Sequence, residues 1–255
     1  MTASTRTDIP FPLPARPAAG EIFQTERTVR LGDVDTTGRL RLDSVARYAM
    51  DIGYDHLGFI DDGDLHPAWL VTRTVIDVLG PIGFGERLRV QRWPSALSNR
   101  WFTARIHLEG EDGGLVEVEQ FLINVDPVAG RPARMTERFM APMLAVTTDH
   151  RLRWRPVLEP VADSAPATAF PLRATDFDHY GHVNNAVHWQ VVEEELTARP
   201  TRRATPYRAV VEHLSAITAG QEVTVRAETS RDALRLRVDA DRTVATLARV
   251  TSLPA

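Results

Sequence analysis

Residues Asp176 to Asn185 read DFDHYGHVNN, which places two aspartates, two histidines, one glycine and two asparagines in ten positions. Three chemistries are compatible with that set. A carboxylate and an imidazole four residues apart, Asp178 and His182, suit proton transfer or nucleophilic attack. Several histidines suit a metal ion. Aspartate and asparagine also suit a turn that does nothing except cap a helix. The metal reading fails on spacing. His179, His182 and His188 lie three and six residues apart, so they cannot share one helical face, and no Glu-x-x-His or His-x-x-x-His pattern supports them. No metal and no other cofactor is expected. Capping accounts for one or two of the polar residues, including Asn184 or Asn185, and Asp176 reads as turn-forming. It does not account for Gly181-His182 between them, so Asp178 and His182 are the candidate catalytic pair.

The turn occurs twice. DVDTTGRLRLDSVARYAMDIG (residues 33–53) echoes DFDHYGHVNNAVHWQVVEEEL (residues 176–196), with Asp35 and Asp178, and also Gly38 and Gly181, 143 residues apart. A second echo pairs VIDVLGPIGFGERLRV (residues 75–90) with VVEHLSAITAGQEVTV (residues 210–225) at an offset of 135. The first turn keeps its aspartate and glycine but carries Arg39 where the second has His182. Asp35 is therefore expected to be structural, and Asp77 and Glu212 to be satisfied acids on the repeated strand.

Each half sets one helix before several strands. Val45, Tyr48, Ala49 and Ile52 recur at helical spacing, and a second helix is expected over about 185–197 with Val187, Val191 and Val192 on one side. RLRVQRWP, RWFTARIHLEG, LVEVEQFLINVD, EVTVRAETS, LRLRVDA and VATLARVTSL alternate at period two, as half-buried antiparallel strands do. A long helix wrapped by a curved antiparallel sheet packs these parts economically, which makes the fold class α+β. A proline-rich tail over 1–21 is expected to be flexible, without the apolar run of a signal peptide. The first half spans 22–150, a Pro/Ala/Arg linker 151–170, and the second half 171–255.

Composition narrows the chemistry further. The chain of 255 residues has no cysteine, and all 30 of its basic residues are arginine. Thiolate nucleophiles, disulfides and Schiff-base lysines are excluded outright. A net charge of −4 gives no bulk basic surface for nucleic acid. No apolar run is long enough for a membrane helix, and the cytoplasm is the default compartment.

The Asp-x-x-Gly-His-Val-Asn-Asn turn followed by a helix resembles hot-dog-fold thioesterases. The duplication from about Ile22 onward, with WLVTRTVIDVL and SNRWFTARI in the first half, resembles acyl-[acyl-carrier-protein] thioesterases of the plant fatty-acyl type and their bacterial relatives. That resemblance implies a tandem (double) hot-dog fold, in which two helix-wrapped sheets form a pseudo-dimer with one chemically competent site. Two positions depart from the family. Tyr180 stands where the plant enzymes have asparagine, and Ala216 and Ile217 stand where they carry a glutamate-cysteine pair. A cysteine mechanism is thereby ruled out. Asp178 also matches the catalytic aspartate of single-hot-dog hydroxybenzoyl-CoA thioesterases, so the resemblance implies aspartate-centred hydrolysis of fatty acyl thioesters.

On that reading Asp178 is general base or nucleophile. His182, held by Asp178 or an asparagine, orients water or protonates the thiolate. The amides near Gly181 to Val183 receive the thioester oxygen. Tyr180, Asn184 and Asn185 complete the substrate contacts, and Trp69, Leu70 and Val71 of the first half form the acyl wall. An acidic carrier protein as partner would dock on Arg199, Arg202, Arg203 and Arg208, and a homodimer remains open. Two other readings are kept. An enoyl-thioester hydratase of the same superfamily has five residues from Asp to His, with asparagine and proline between, which this turn lacks. A non-catalytic acyl-thioester-binding regulator would bind without turnover.

Overall fold

The structure, a computed structural model, describes residues 9–18, 20, 22–147, 149–150 and 152–254. Strand β1 (Phe23–Thr28) leads into helix α1 (Leu42–Leu57), followed by strands β2 (Trp69–Gly80), β3 (Arg87–Leu97), β4 (Trp101–Gly110) and β5 (Leu115–Asn124). Helix α2 (Glu137–Val146) ends this half. The second half repeats the order with β6 (Ala167–Ala169), α3 (Asn185–Thr197), β7 (Tyr207–His213), β8 (Val223–Thr229), β9 (Ala233–Ala240) and β10 (Thr243–Ser252).

All pairings are antiparallel and build one sheet in the order β1-β3-β4-β5-β2-β7-β10-β9-β8-β6. Read outward from the central β2–β7 pair, both halves place corresponding strands in the same sequence. This is the α+β double hot-dog that the family resemblance implies. Helices α1 and α3 pack together on one face. The predicted apolar stripe of α1 is buried throughout. Helix α3 buries two sides: Val187 and Val191 meet β8 and β9, while Trp189, Val192 and Leu196 join the larger core with α1.

The opposite face of the sheet is covered by chain that composition marked as loose. Period two turns Ile76 and Val211 toward the helices and Val75 and Val210 outward. Arg208 shares the outward parity and forks onto Asp77 of β2 at 2.6 and 2.8 Å. Its other N–H groups donate to the carbonyls of Ile9 and Pro10 at 3.0 and 2.9 Å. The duplicated counterpart of this pair is Arg73 with Glu212, at 3.3 Å, and Glu212 also accepts from the amides of Val157 and Leu158. The expectation of a flexible tail over 1–21 is therefore corrected from Ile9 onward: Leu13 packs with Val75, Val157 and Val210. A proline-rich segment has few amides to satisfy and carbonyls to spare, which two buried guanidiniums use. Residues 1–8, 19 and 21 lie outside the described residues. The linker likewise crosses this face instead of spanning open solvent.

Two histidines are enclosed beneath α3. His188 shares a 2.8 Å hydrogen bond with Thr246, and its ring stands 4.8 Å from that of His213. Burial pulls His188 down to about 4, and burial followed by the neighbouring His188 holds His213 well below the usual imidazole range. Both are neutral in the folded protein, whereas an unfolded chain protonates histidine near 6.5. Stability should thus be intact above that pH and fall as pH drops from about 6.5 toward 4. At about 1.4 kcal/mol per pH unit, His188 alone would contribute a loss of roughly 3 kcal/mol over that window. Urea unfolding at pH 7 and pH 5 checks this: the midpoint should be clearly lower at pH 5, and an unchanged midpoint would refute it.

Candidate active site

The second turn is built by Asp178. Its Oδ1 accepts from the amides of Tyr180 (2.9 Å) and His182 (3.3 Å). The Asp178 amide donates to the His182 carbonyl, and the Gly181 amide donates back to the Asp178 carbonyl. Gly181 has φ 76°, the left-handed region where a side chain is strained. Asp178 Oδ2 has no hydrogen-bond partner among the described residues. Asp178 thus holds His182 through its backbone, not through its ring. The His182 side chain is exposed and takes no partner there.

The expected oxyanion donors need correction. The amides of Gly181 and His182 are spent inside the turn, and Val183 donates to Ile217 at 2.8 Å. The reason is that residues 177–183 form a miniature antiparallel ladder, bridging Phe177 to Val183 and His182 to Thr218, before the helix starts. The helix begins only at Asn185. Asn184 is its cap, accepting from Ala186 at 2.9 Å, so its expected role in substrate binding becomes a structural one. Asn185, at the first helical position, has neither amide nor side chain engaged among the described residues, which makes it the available donor at this helix end.

The first turn shows a different arrangement at the same helix end. Asp35 Oδ1 accepts from Thr37 and from the Arg39 amide, while Oδ2 meets Arg203 at 3.1 Å. Glu193 of α3 accepts from the amide of Leu42 at 2.7 Å and pairs with Arg203, with Arg39 3.9 Å away. Burial would raise the Asp35 pKa, but hydrogen bonds from Thr37 and Arg39 outweigh it and the carboxyl lies below its usual value. Leu42 is the counterpart of Asn185, and Met50 of Glu193, at the same offset of 143. A protein carboxylate therefore seals the helix end in the first turn. In the second, a thioether side chain leaves it open.

The second turn faces the first half. Tyr54 of α1 lines an apolar cavity enclosed by α1, α2 and the sheet, with Met50, Trp69, Phe102 and Phe139 among its walls. The Tyr54 phenol is pushed above its usual pKa by burial first, and then by its neighbours Tyr180 and Asp178. Tyr180 is half-exposed, its ring tilted against that of His179 with centroids 3.8 Å apart. Tyr54 thus lies at the cavity with Tyr180 and Asp178 of the second turn as electrostatic neighbours, while neither of those two lines the cavity and the His182 side chain is exposed.

Of the expected acyl wall, Trp69 and Val71 line the cavity, but Leu70 points to the other side of the strand and is exposed. The walls supplied by α2, and the polar residues Arg92 and Gln120, escaped the sequence reading. Helix α2 had one visible signal, Thr136 capping Phe139, obscured by Pro142 inside the helix.

The arginine cluster does not form a free dock. Arg208 is buried on Asp77, and Arg203 lies between Asp35 and Glu193. Arg199 pairs with Glu195, and Arg202 donates to the carbonyls of Ser230 and Arg231. Outward strand parity and the duplicated joint consume these charges. No group of three or more His, Asp or Glu residues placed to hold a metal occurs among the described residues, where His188 is also buried away from His179 and His182. No helix there is long and apolar enough to cross a membrane.

Comparison with known proteins agrees with this architecture. The acyl-ACP thioesterase N-terminal domain matches residues 20–143, and the acyl-ACP thioesterase C-terminal domain matches residues 161–248. An uncharacterized protein of Mycobacterium tuberculosis is 41% identical over 229 residues, covering 90% of this chain and 91% of that protein. Among solved structures, an acyl-ACP thioesterase from Bacteroides thetaiotaomicron superposes with a TM-score of 0.73 at 16% identity, covering 90% of this chain and 97% of its own. The 12:0-ACP thioesterase from Umbellularia californica gives a TM-score of 0.71 at 15% identity, covering 92% of this chain and 98% of its own. With both of its halves matched in order, the chain belongs to the acyl-ACP thioesterase family and is by that membership a thioesterase of double hot-dog fold.

Proposed function

We propose that the chain hydrolyses fatty acyl thioesters at one site, formed by the second turn and the cavity of the first half. The observation that carries this reading is the position of Tyr54, the α1 residue that lines the apolar cavity and has Tyr180 and Asp178 of the second turn as electrostatic neighbours. An acyl chain in that space brings its thioester carbon to the turn. The unengaged Asn185 amide at the start of α3 is positioned by its backbone to donate to the thioester oxygen, a contact typically worth a few kcal/mol in the transition state. Asp178 keeps one oxygen on the turn amides and has Oδ2 available. In the general-base route Oδ2 takes a proton from water as the new C–O bond forms. In the nucleophilic route Oδ2 itself attacks, and water then splits the anhydride. In both, the C–S bond breaks and the departing thiolate takes a proton, for which exposed His182 is the nearest imidazole donor in the turn.

Hydrolysis in isotopically labelled water under single-turnover conditions tests the reading, using the same acyl chains on acyl carrier protein and on coenzyme A. Release of free acid and thiol is expected, with faster turnover on the carrier protein that gives the family its name. Label found in the protein carboxylate, with a matching deficit in the released acid, would select the nucleophilic route. Failure to release acid from either carrier would refute the proposal.

A further inference from the structure

Apart from the Tyr54 phenol on the side of the second turn, the polar groups lining the cavity are Arg92 of β3 and Gln120 of β5. Arg92 is only 6% exposed. One of its terminal nitrogens meets His56 Nδ1 at 2.8 Å, its carbon lies 5.4 Å from the centre of the Phe102 ring, and its Nε has no hydrogen-bond partner. No carboxylate pairs with it among the described residues. Asp61, the acid lining the crevice on the far side of Arg92, is turned toward Arg138 at 3.2 Å. His56 supplies no compensating charge, because burial first and then Arg92 hold its pKa down to about 3. Burial alone pulls Arg92 down to about 10, still charged at neutral pH.

A charged group this deep is normally paired, since its desolvation is costly and an unpaired neighbour does nothing to offset it. The cations in the other buried joints each have an acid: Arg208 has Asp77, Arg105 has Glu117, and Arg203 has Glu193. Arg92 has none among the described residues and faces the space reserved for the acyl chain. Gly53 of α1 approaches its guanidinium, and the next residue, Tyr54, has Asp178 as an electrostatic neighbour. The charge thus falls within the acyl space.

We propose that the acyl chain accepted here carries a carboxylate remote from the thioester, which pairs with Arg92 and is supported by the Gln120 amide. The inference rests on the thioesterase reading and names its substrate class: thioesters of ω-carboxyacyl chains. The methylenes between the two ends lie against Trp69, Val71, Phe102 and Phe139, and a plain alkyl chain would leave the guanidinium buried without a counterion.

The test compares alkanoyl and ω-carboxyalkanoyl thioesters of matched length, from about six to twelve carbons, with the wild-type protein and Arg92→Met. The ω-carboxy series should exceed the alkanoyl series in kcat/KM by about tenfold or more at the best length, and Arg92→Met should reverse that order. Equal or better turnover of plain alkanoyl chains by the wild type would overturn the proposal, whether or not the variant folds. Binding of the free products, followed by calorimetry, separates the two readings. Tighter binding of the α,ω-dicarboxylate than of the monocarboxylate without any hydrolysis would support the Arg92 assignment and sink the thioesterase. Hydrolysis with no preference in either assay would do the reverse.

Discussion

Replacing Asp178 with asparagine is expected to lower kcat on acyl thioesters by at least about a hundredfold, the range a positioned general base supplies. The substitution is informative because it spares the turn. The asparagine side chain would present a carbonyl oxygen where Oδ1 now accepts from the Tyr180 and His182 amides, so the ladder that precedes α3 keeps its geometry. What is lost is the Oδ2 atom, which has no structural partner to miss among the described residues. Binding should change little, since the cavity walls belong to the first half. The drop should therefore show in kcat with KM nearly constant, and thermal unfolding should stay close to wild type. His182→Ala should lower kcat in the same direction with KM unchanged. A folded Asp178→Asn protein with near-normal turnover would remove the aspartate from the mechanism and leave Asn185 and bound water as the only elements of the site.

The contrast between the two turns was partly legible in the sequence, and the limits of that legibility are physical. A repeated Asp-x-Asp-x-x-Gly and period-two strands are local patterns, and they mark α1, α3 and the central strands of the sheet, but not the edge strands β1 and β6, the latter lying within the linker 151–170. The exchange of His182 for Arg39 also distinguishes the two turns. What seals the first helix end was not visible, because Glu193 reaches the Leu42 amide from 151 residues away. The amide donors were misassigned for a related reason. The helix is expected from about 185, and the amides of 181–183 just before it read as its open end, whereas Val183 pairs with Ile217, a distant strand neighbour. Composition misread the tail as loose, since nothing local shows that Arg208 and Arg105 have spare N–H groups for its carbonyls. Arg92 shares the inward parity of Leu88 and Val90 in its alternating strand, but an arginine at a core position is not legible as buried from local pattern. Its burial depends on α1 and α2 closing over it.

Asp77→Ala is expected to be the most destabilising single substitution outside the apolar core, by about 3–5 kcal/mol, because it strands Arg208 in the buried outer layer without its acid. At about 2–4 °C per kcal/mol for a chain of this size, the melting temperature should fall by roughly 10 °C. The duplication supplies the control. Arg73→Ala breaks the corresponding pair, but Glu212 keeps the amides of Val157 and Leu158, and Arg73 itself sits nearer solvent. Its cost should be a fraction of the first. The double variant Asp77→Leu, Arg208→Leu removes both charges and should recover much of the loss, as apolar replacements of buried pairs commonly do. It cannot restore the contacts to Ile9 and Pro10, so the segment 9–18 should become open to limited proteolysis while the sheet stays folded. Calorimetry on the three proteins decides the matter. A loss below about 1 kcal/mol for Asp77→Ala would mean that the Arg208 charge is satisfied by the tail carbonyls alone, and that the tail and not the strand pair holds this layer together.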